Sequence, residues 1–219
     1  MALIFETNFE NGSFIDKVGG LELTIYEEAN ITRSVDGSDG RWSQAGTLFG
    51  KNGAGPAGQA YLDPWSTPAV FSGDFVIEFV AKDPIDTDTQ SYLTLGMWSG
   101  GGIKILSSYV HTQFNLVLKS DDAVTFYGNW SSGISDAMNN GKYHKFRIAG
   151  TIGGNIDLYI DGNSLGTVDS STLSGKTITP DRIYVGANYG TRNADNLSLR
   201  ELRITNGNKT NNSGGPGQG

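Results

Sequence analysis

The chain has 219 residues, with 31 glycines, no cysteine and a formal net charge of −7. Glycine is used about twice as often as in an average domain, and charged residues make up 18% rather than the usual ~25%. The missing cysteines exclude disulfides, thiolate catalysis and cysteine-bound zinc, and the scattered Lys and Arg residues argue against a nucleic-acid partner.

The beginning of the chain predicts mature structure rather than a targeting segment. MALIFETNFENG contains Glu6 and Glu10 and lacks the basic region followed by an apolar one that a signal peptide requires. No apolar run approaches the ~20 residues of a membrane helix. We therefore expect no membrane insertion, and we expect display on a virion or extracellular surface to occur by assembly.

Alternation of apolar and polar residues, the pattern of a strand with one buried face, recurs along the whole chain. The clearest runs are GLELTI, FVIEFVAKD, SYLTLGMW, QFNLVLK, AVTFYGNW, RIYVGANY and LRELRIT. Together with weaker runs, they predict about ten to thirteen strands. Helical spacing is limited to Ile134 and Met138. The sequence therefore predicts an all-β chain, built as a two-sheet antiparallel sandwich or a barrel.

Two segments lack this alternation. Residues 37–58 are rich in glycine, and we expect a long loop system there, functional or mobile and interrupted by one short strand. Residues 206–219 contain no apolar side chain, and we expect a flexible polar tail. The predicted organisation is a single domain over residues 1–205 followed by this tail.

A three-stranded meander with one dry face is predicted over residues 141–168. His144 and Phe146 share the inward face of the first strand, and apolar residues alternate again in IDLYIDG. Asp161 and Gly162 supply the positive φ angles of a tight hairpin. Because no nucleophile motif accompanies His144, we expect a hydrogen-bonded histidine near the core rather than a catalytic one.

The order of these segments resembles a known family. GDFVIEFVAK, the histidine strand, LYIDG with its return strand, IYVGAN and LRELRIT follow one another as in the laminin G-like and pentraxin-like branch of the concanavalin A-like superfamily. The resemblance spans residues 71–205. It implies a jelly roll of two stacked sheets, with about six or seven strands each, in which LIFETNF pairs with the last strand.

The resemblance also implies a metal. Laminin G-like domains often bind calcium through Asp and Asn oxygens, the hard ligands that this ion prefers. The candidate ligands are Asp36 with Asp39 and Asp121 with Asp122. The alternative interpretation is that these residues only form turns.

Glycoside hydrolases occur in the same superfamily, so the carboxylates need inspection. The E-x-D-x-x-E string of its laminarinase-like enzymes is absent. Glu22 and Glu28 share a predicted strand face but would lie about 20 Å apart, whereas a catalytic pair is ~5–9.5 Å apart. We therefore predict no catalytic residues.

Several aromatic residues lie among small polar residues and are candidate platforms for a sugar ring. A flat aromatic ring can pack against the apolar face of a pyranose while nearby polar groups bind its hydroxyls. Packing under loops or in the core is the alternative for each of them. The candidates are Trp42, Trp65, Trp98, Trp130 and Tyr189.

These observations favour a non-catalytic, lectin-like module that binds glycans or a glycan-bearing surface. A second hypothesis is a structural decoration or fibre subunit of a phage without a ligand. A third is a glycoside hydrolase whose carboxylates come from distant strands. A single small module gains avidity only in several copies, which predicts a homo-oligomer or docking into a larger array.

Overall fold

The computed structural model describes residues 2–7, 15–26, 31–33, 42–44, 59–62, 64–65, 69–82, 91–96, 100–107, 112–131, 133–134, 140, 142–185, 187–188, 192–193 and 198–207. For residues 25–26, 31–33, 42–44, 59–60, 91, 187–188, 192–193 and 198 it describes the backbone alone. Within these ranges the named elements are β-strands and one short 3-10 turn, Ser171–Leu173, and Ile134 is helical. No helix in these ranges has the length and apolar character to cross a membrane.

The strands form two antiparallel sheets, which confirms the predicted all-β sandwich. Sheet 1 contains β1 (Ala2–Thr7), β3 (Ile31–Arg33), β4 (Trp42–Gln44), β6 (Asp74–Lys82), β11 (His144–Thr151), β12 (Asn155–Ile160), β13 (Asn163–Asp169) and β17 (Ser198–Asn206). Its order is β13-β12-β11-β6-β17-β4-β3, and β1 also pairs with β17.

Sheet 2 has the order β10-β9-β8-β7-β14-β5-β2. Its strands are β2 (Thr24–Tyr26), β5 (Gln59–Leu62), β7 (Ser91–Gly96), β8 (Gly102–Ser107), β9 (Phe114–Lys119), β10 (Thr125–Trp130) and β14 (Ile183–Val185). A separate small hairpin joins β15 (Ala187–Asn188) to β16 (Arg192–Asn193).

The inner faces of the sheets are apolar, because the apolar residues of the alternating runs in the sequence face inward in the structure. In β6, Ile77 and Phe79 are buried, and they lie opposite Ile148 and Phe146 of β11. Aromatic rings then connect the two layers. Phe146 stacks on Phe79 at 4.9 Å within sheet 1 and on Phe114 of sheet 2 at 5.6 Å. Such ring contacts add to the stabilisation from burial alone.

The predicted meander is confirmed as β11-β12-β13. Asp161 and Gly162 connect its last two strands with φ angles of 50° and 81°, as the tight turn requires. His144 is hydrogen-bonded, as expected. Its Nδ1 lies 2.6 Å from an Asp161 carboxylate oxygen, and its Nε2 lies 2.9 Å from Asn140 Oδ1.

The N-terminal strand also lies where it was predicted. Strand β1 pairs with β17, so that Leu3 is opposite Thr205 and Thr7 is opposite Leu202. The structure contains more strands than the sequence predicted, because several have only two or three residues. Alternation cannot be read over so few positions. One of these, β4, is the short strand expected within residues 37–58; the rest of that segment up to 58, and the tail beyond Gly207, lie outside the described residues.

Candidate functional site

A row of side chains crosses the outer face of sheet 2 at a single level. The described neighbours of these residues along their strands are buried, as Leu116 and Leu118 are on either side of Val117, or, in the case of Phe126, partly buried. Strand pairing sets the members of the row directly opposite one another. In spatial order, the row consists of Tyr61, Tyr184, Thr94, Lys104, Val117 and Tyr127.

The exposed residue of this row is Tyr127, on the edge strand β10. Thr94 and Tyr184 are buried although they lie on the outer face, and Tyr184 stacks on Tyr61 with ring centroids 5.8 Å apart. Val117 is 9% exposed, and Tyr127 at the far end is 67% exposed. At this level the outer face of sheet 2 is therefore covered over β14, β7 and β9 and open at Tyr127 on β10.

The alternation in β10 explains why Tyr127 lies on the surface. Phe126 packs against the core and Trp130 belongs to it, so the residues of opposite parity face outward. We call the outward positions around this ring the Tyr127 face. It comprises Lys104, Asn115, Val117, Lys119, Thr125, Tyr127 and Asn129.

Amide side chains lie on one side of the Tyr127 ring. Asn129 Nδ2 donates hydrogen bonds to Asn115 Oδ1 and to Gln113 Oε1, both at 2.9 Å. Asn129 and Asn115 are directly opposite each other on β10 and β9, two residues beyond the pair formed by Tyr127 and Val117. Because the network fixes these amides on paired strands, they are oriented before any ligand binds.

Lys119 lies on the other side of the ring, and Lys104 lies level with the ring two strands away. Lys119 is opposite Thr125, two residues before Tyr127 on β10, and Lys104 is opposite Val117. Burial lowers the pKa of Lys104, and the charge of Lys119 lowers it further. The Tyr127 face therefore combines an exposed apolar ring, oriented amides and two neighbouring ammonium groups, an arrangement suited to recognition.

Sequence reasoning did not single out Tyr127, and it interpreted two buried tryptophans as candidate platforms. Trp130 is 3% exposed and Trp65 is 1% exposed, and both belong to the core. A platform needs an exposed ring face, so neither indole can serve as one in this structure. Polar neighbours suggested a surface position for Trp130, whereas strand parity in AVTFYGNW would have set Tyr127 outward.

The remaining aromatic candidates stay predictions. Trp42 begins strand β4, where its backbone pairs with Arg33 and Leu199, but its side chain lies outside the described part of the chain. Trp98 and Tyr189 lie outside the described residues altogether.

Asp121, one of the candidate calcium ligands, has a structural role. Its Oδ1 accepts a hydrogen bond from the Thr179 backbone N–H at 2.8 Å. Its Oδ2 accepts hydrogen bonds from the hydroxyl groups of Thr177 and Thr179. The carboxylate thus joins the β9–β10 turn to residues 177–179.

Asp122 is also bound by donors of the chain itself. Its carboxylate accepts hydrogen bonds from the Lys176 ammonium and the Ser120 hydroxyl, and these interactions lower its pKa. Both carboxylates are therefore engaged by donors of the chain, and calcium binding at Asp121 and Asp122 stays a prediction. The described residues contain no group of three or more metal-ligating side chains. Asp36 and Asp39 lie outside those residues, and calcium binding there remains a prediction.

A cavity of about 160 Å³ on the outer face of sheet 1 bears on the hydrolase alternative. Its carboxylates alternate with cations, and Glu78 Oε1 lies 3.7 Å from Lys145 Nζ. The volume is below the ~300–1,000 Å³ of typical ligand pockets. This surface has balanced charges and little room for a substrate. It is lined by Glu6, Thr7, Lys17, Glu78, Lys145, Glu201, Leu202 and Arg203.

No family model matches the chain, and no curated protein matches it in sequence. Solved structures do match in fold. The binding domain of botulinum neurotoxin DC, in complex with rat synaptotagmin II, superposes with a TM-score of 0.67 at 18% identity over 92% of this chain. The serotype D ligand-binding domain, in complex with N-acetylneuraminic acid, gives 0.65 at 13% identity and 92% coverage.

A third match is a structure of botulinum neurotoxin type C, described as depending on interaction with two ganglioside molecules for cell entry. It gives a TM-score of 0.63 at 16% identity over 93% of the chain. The chain spans about half of each of these proteins, between 47% and 48% of their length. At these identities the likeness shows the fold alone. The class defined so far is an antiparallel β-sandwich of the kind found in receptor-binding domains.

Proposed function

We propose that this chain is a non-catalytic carbohydrate-binding module whose ligand lies on the Tyr127 face. The observation that carries the proposal is the Tyr127 ring, which is 67% exposed although it stands in the middle of a strand. A large exposed aromatic residue on a rigid sheet, surrounded by oriented polar groups, is a common form of recognition site.

The geometry around the ring supports a sugar as the ligand. The exposed Tyr127 ring offers an apolar surface for the C–H groups of a pyranose. Asn129 Oδ1 and Asn115 Nδ2 are the atoms that the amide network does not use. They supply an acceptor and a donor for sugar hydroxyls, so stacking and hydrogen bonding act on the same ring.

The comparisons support binding over catalysis. The matched structures are described as ligand-binding or receptor-binding domains, and their ligands include N-acetylneuraminic acid and gangliosides. Because this chain corresponds to half of those proteins, carrying their ligands over to it is part of the proposal. We also propose that the chain belongs to the laminin G-like branch of the concanavalin A-like superfamily, on the order of its strand motifs.

The mode of action that we propose is multivalent. An open face on one edge of a sheet makes few contacts, and weak single sites become effective when several copies engage one surface. A homo-oligomer, or an array on a virion or appendage, would provide those copies. Light scattering of the purified chain and of any particle that carries it tests this part: a monomer that docks on nothing would contradict it.

Glycan-array binding with matched variants tests the function itself. Tyr127→Ala removes the platform, and Tyr159→Ala removes a half-buried tyrosine from the outer face of sheet 1 as a control. We expect Tyr127→Ala to weaken binding at least about tenfold, a loss within the range for an aromatic contact, and Tyr159→Ala to bind as the unaltered chain does. Binding to no glycan, or equal binding by Tyr127→Ala with its fold intact by circular dichroism, would reject the proposal.

A further inference from the structure

Strand β10, which carries Tyr127, is the last strand of sheet 2. Next to it, the Ser120 backbone N–H donates a hydrogen bond to the Val124 carbonyl oxygen at 2.9 Å, and this pair begins the ladder between β9 and β10. Hydrogen-bonded pairs alternate along an antiparallel ladder, so the even-numbered residues of β10 bond to β9. Thr125, Tyr127 and Asn129 therefore direct their backbone N–H and C=O groups away from β9, towards the outer edge.

This outer edge of β10 is open. In the described part of the chain, the backbone groups of Thr125, Tyr127 and Asn129 form no bond to another element. The residues Tyr127 and Asn129 are also exposed. The register with β9 is regular over all six residues of the strand. The edge is therefore a regular row of unpaired donors and acceptors, on which another strand can pair.

The other described edges have the features by which proteins prevent such pairing. In β13, the edge of sheet 1 nearest to β10, the register shifts between Ser164 and Gly166. The strands at the far ends, β2 and β3, have three residues each. On the free side of β1, the Glu6 N–H donates to the Asp16 carboxylate and the Glu6 carbonyl oxygen accepts from the Lys17 N–H. Strand β10, in contrast, is long and regular and contains neither a charged residue nor a proline.

We propose that the partner of this edge is the same edge of a second copy, so that two chains join through an antiparallel pair of β10 strands. A two-fold axis relates such strands, and one surface serves both copies. With the axis at Tyr127, this residue pairs with its own counterpart, and Thr125 pairs with Asn129 of the second copy. The outward groups of these three residues then form about six backbone hydrogen bonds.

The charge of β10 favours a second copy over a strand of another protein. The chain has 23 acidic and 16 basic residues, yet TFYGNW contains none of either. Two copies that each have a net charge of −7 therefore bring no like charges together along the paired strands, where such pairs are destabilising.

The side chains of β10 also match their own counterparts. On the outer face, the axis brings the two Tyr127 rings to directly opposite positions, where aromatic pairs stabilise a sheet. On the inner face, it sets the Phe126 ring opposite Gly128 of the second copy, which has no side chain to collide with it. Each strand thus offers the other a ring beside a ring and a ring beside a gap.

The pairing would join two Tyr127 faces into one surface. Both Tyr127 rings lie on the same outer side of the continuous sheet, and Asn129 of one copy lies beside Thr125 of the other. A ligand on this surface would contact residues of both chains, which is the simplest form of the multivalent binding proposed above. The inference goes beyond that function, because it names the contact and holds whether or not a sugar binds.

Sedimentation velocity of the full chain, in the absence of any glycan, tests for the dimer. A pair of edge strands is a small interface, so we expect a monomer–dimer equilibrium with a Kd of about 10 µM to 1 mM. No larger species should form, since a two-fold contact closes on itself. A chain that is still monomeric at about 1 mM, or one that grows beyond a dimer, would overturn the proposal.

Opposite charges at position 127 test the register. In the proposed dimer, Tyr127→Lys and Tyr127→Glu each set like charges directly opposite each other, and we expect either variant alone to dimerise at least about fivefold more weakly. An equimolar mixture of the two should recover the dimer. Asn163→Lys adds a charge to an exposed position of the other edge strand, β13, and should leave dimerisation unchanged. Circular dichroism verifies that each variant is folded.

The absence of cysteine allows a direct test of the axis. Tyr127→Cys would lie opposite its counterpart with Cα atoms about 5.5 Å apart, which is within the range for a disulfide. Thr125→Cys is the matched control, because its counterpart would lie ~13 Å further along the strand. Under mild oxidation we expect Tyr127→Cys alone to form a covalent dimer. Equal cross-linking of both variants would indicate random collision and overturn the proposed register.

The remaining outcomes separate this inference from the proposed function. A monomeric chain whose glycan binding is lost in Tyr127→Ala would overturn the dimer and leave the carbohydrate-binding function standing. A dimer that persists in both charged variants would use another surface and would also overturn the inference. A monomer that binds an extended peptide of unrelated sequence at β10 would assign this edge to a foreign strand, with the same consequence.

Discussion

The indole Nε1 of Trp130 donates a hydrogen bond to the backbone carbonyl oxygen of Gly166 at 3.0 Å, and this bond joins the edge strand of sheet 2 to the edge strand of sheet 1. Gly166 has a φ angle of 115° beside an irregularity in the β12–β13 pairing. A β-bulge of this kind leaves a backbone group outside the ladder. Trp130 therefore fastens the two layers together on the side where Tyr127 is exposed.

Replacing Trp130 should destabilise the sandwich and leave the Tyr127 face in place. Trp130→Phe keeps a ring against Phe114 but removes the donor, and we expect the free energy of unfolding to fall by about 1–3 kcal/mol. Trp130→Ala also creates a cavity and should cost about 3–5 kcal/mol. Urea denaturation measures both changes. A Trp130→Phe variant of unchanged stability that no longer binds glycans would restore Trp130 as a ligand residue.

A second prediction concerns Asp16, whose carboxylate is buried in the loop beside β1. It accepts hydrogen bonds from the backbone N–H groups of Glu6 at 3.1 Å, Val18 at 3.0 Å and Gly19 at 3.0 Å. Asp16→Ala leaves these donors without an acceptor, and we expect a loss of about 2–4 kcal/mol in thermal or urea unfolding.

Two further variants serve as controls for Asp16→Ala. Asp16→Asn keeps one acceptor oxygen and should lose less stability than Asp16→Ala. Gly19→Ala should destabilise in the same direction, because its Cβ would lie 2.8 Å from an Asp16 carboxylate oxygen. Unchanged unfolding of Asp16→Ala would show that water replaces the carboxylate at no cost.

A third prediction follows from Asp122 and depends on pH. The hydrogen bond from Lys176, followed by that from Ser120, lowers the pKa of Asp122 below 3.8 in the folded state. A lowered acid pKa stabilises the fold above the unfolded-state pKa, and this contribution is lost as the pH falls through the folded-state pKa. We therefore expect Asp122→Asn to be less stable than the unaltered chain at pH 7 and to converge with it on acidification below about pH 4.

A double-mutant cycle assigns this effect to its cause. Urea unfolding of Asp122→Asn, Lys176→Met and the combined variant gives the coupling between the two side chains. The coupling should be present at neutral pH and vanish at low pH. Coupling that is independent of pH would contradict the assignment to the ionised carboxylate.

A fourth prediction concerns Gly101, which lies beneath the Asp121 side chain. A Cβ on Gly101 would come within 2.0 Å of Asp121 Oδ1 and 3.0 Å of the Thr179 backbone nitrogen. We expect Gly101→Ala to break the bonds that Asp121 makes to Thr177 and Thr179 and to lower the unfolding free energy by about 1–3 kcal/mol. Gly100→Ala is the control, since no atom lies within 4 Å of the Cβ it would add. Equal stability of the two variants would contradict the structural role of Asp121.

Local pattern was sufficient for much of the fold. In β6 and β11 the alternation identified the buried residues Ile77 and Phe146, and Asp161 with Gly162 identified the hairpin. These features depend on residues close together in the sequence. Alternation in β10 also predicts that Tyr127 faces outward. We chose Trp130 as the candidate platform instead, because its neighbours in the sequence are polar.

The features that the local sequence pattern could not predict depend on pairing between strands that are far apart in the sequence. Trp130 is buried because β13 of the other sheet lies beside it, 36 residues further along the chain. Lys104 and Lys119 become neighbours only through the register of β8 with β9. Asp121 has donors 56 and 58 residues away, which no local reading of its turn would reveal. The composition of the candidate site was therefore not predictable without knowing which strands meet.

The covered positions Thr94 and Tyr184 limit the shape of what can bind beside them. In the proposed binding mode, a chain of sugars on Tyr127 would not continue inward across the sheet, because Thr94 and Tyr184 are already buried there. It has to run lengthwise beside β10 or leave over the rim of the sandwich. The proposed site would therefore admit the free end of a branch, or an unbranched stretch, and would exclude a bulky branched oligosaccharide by shape.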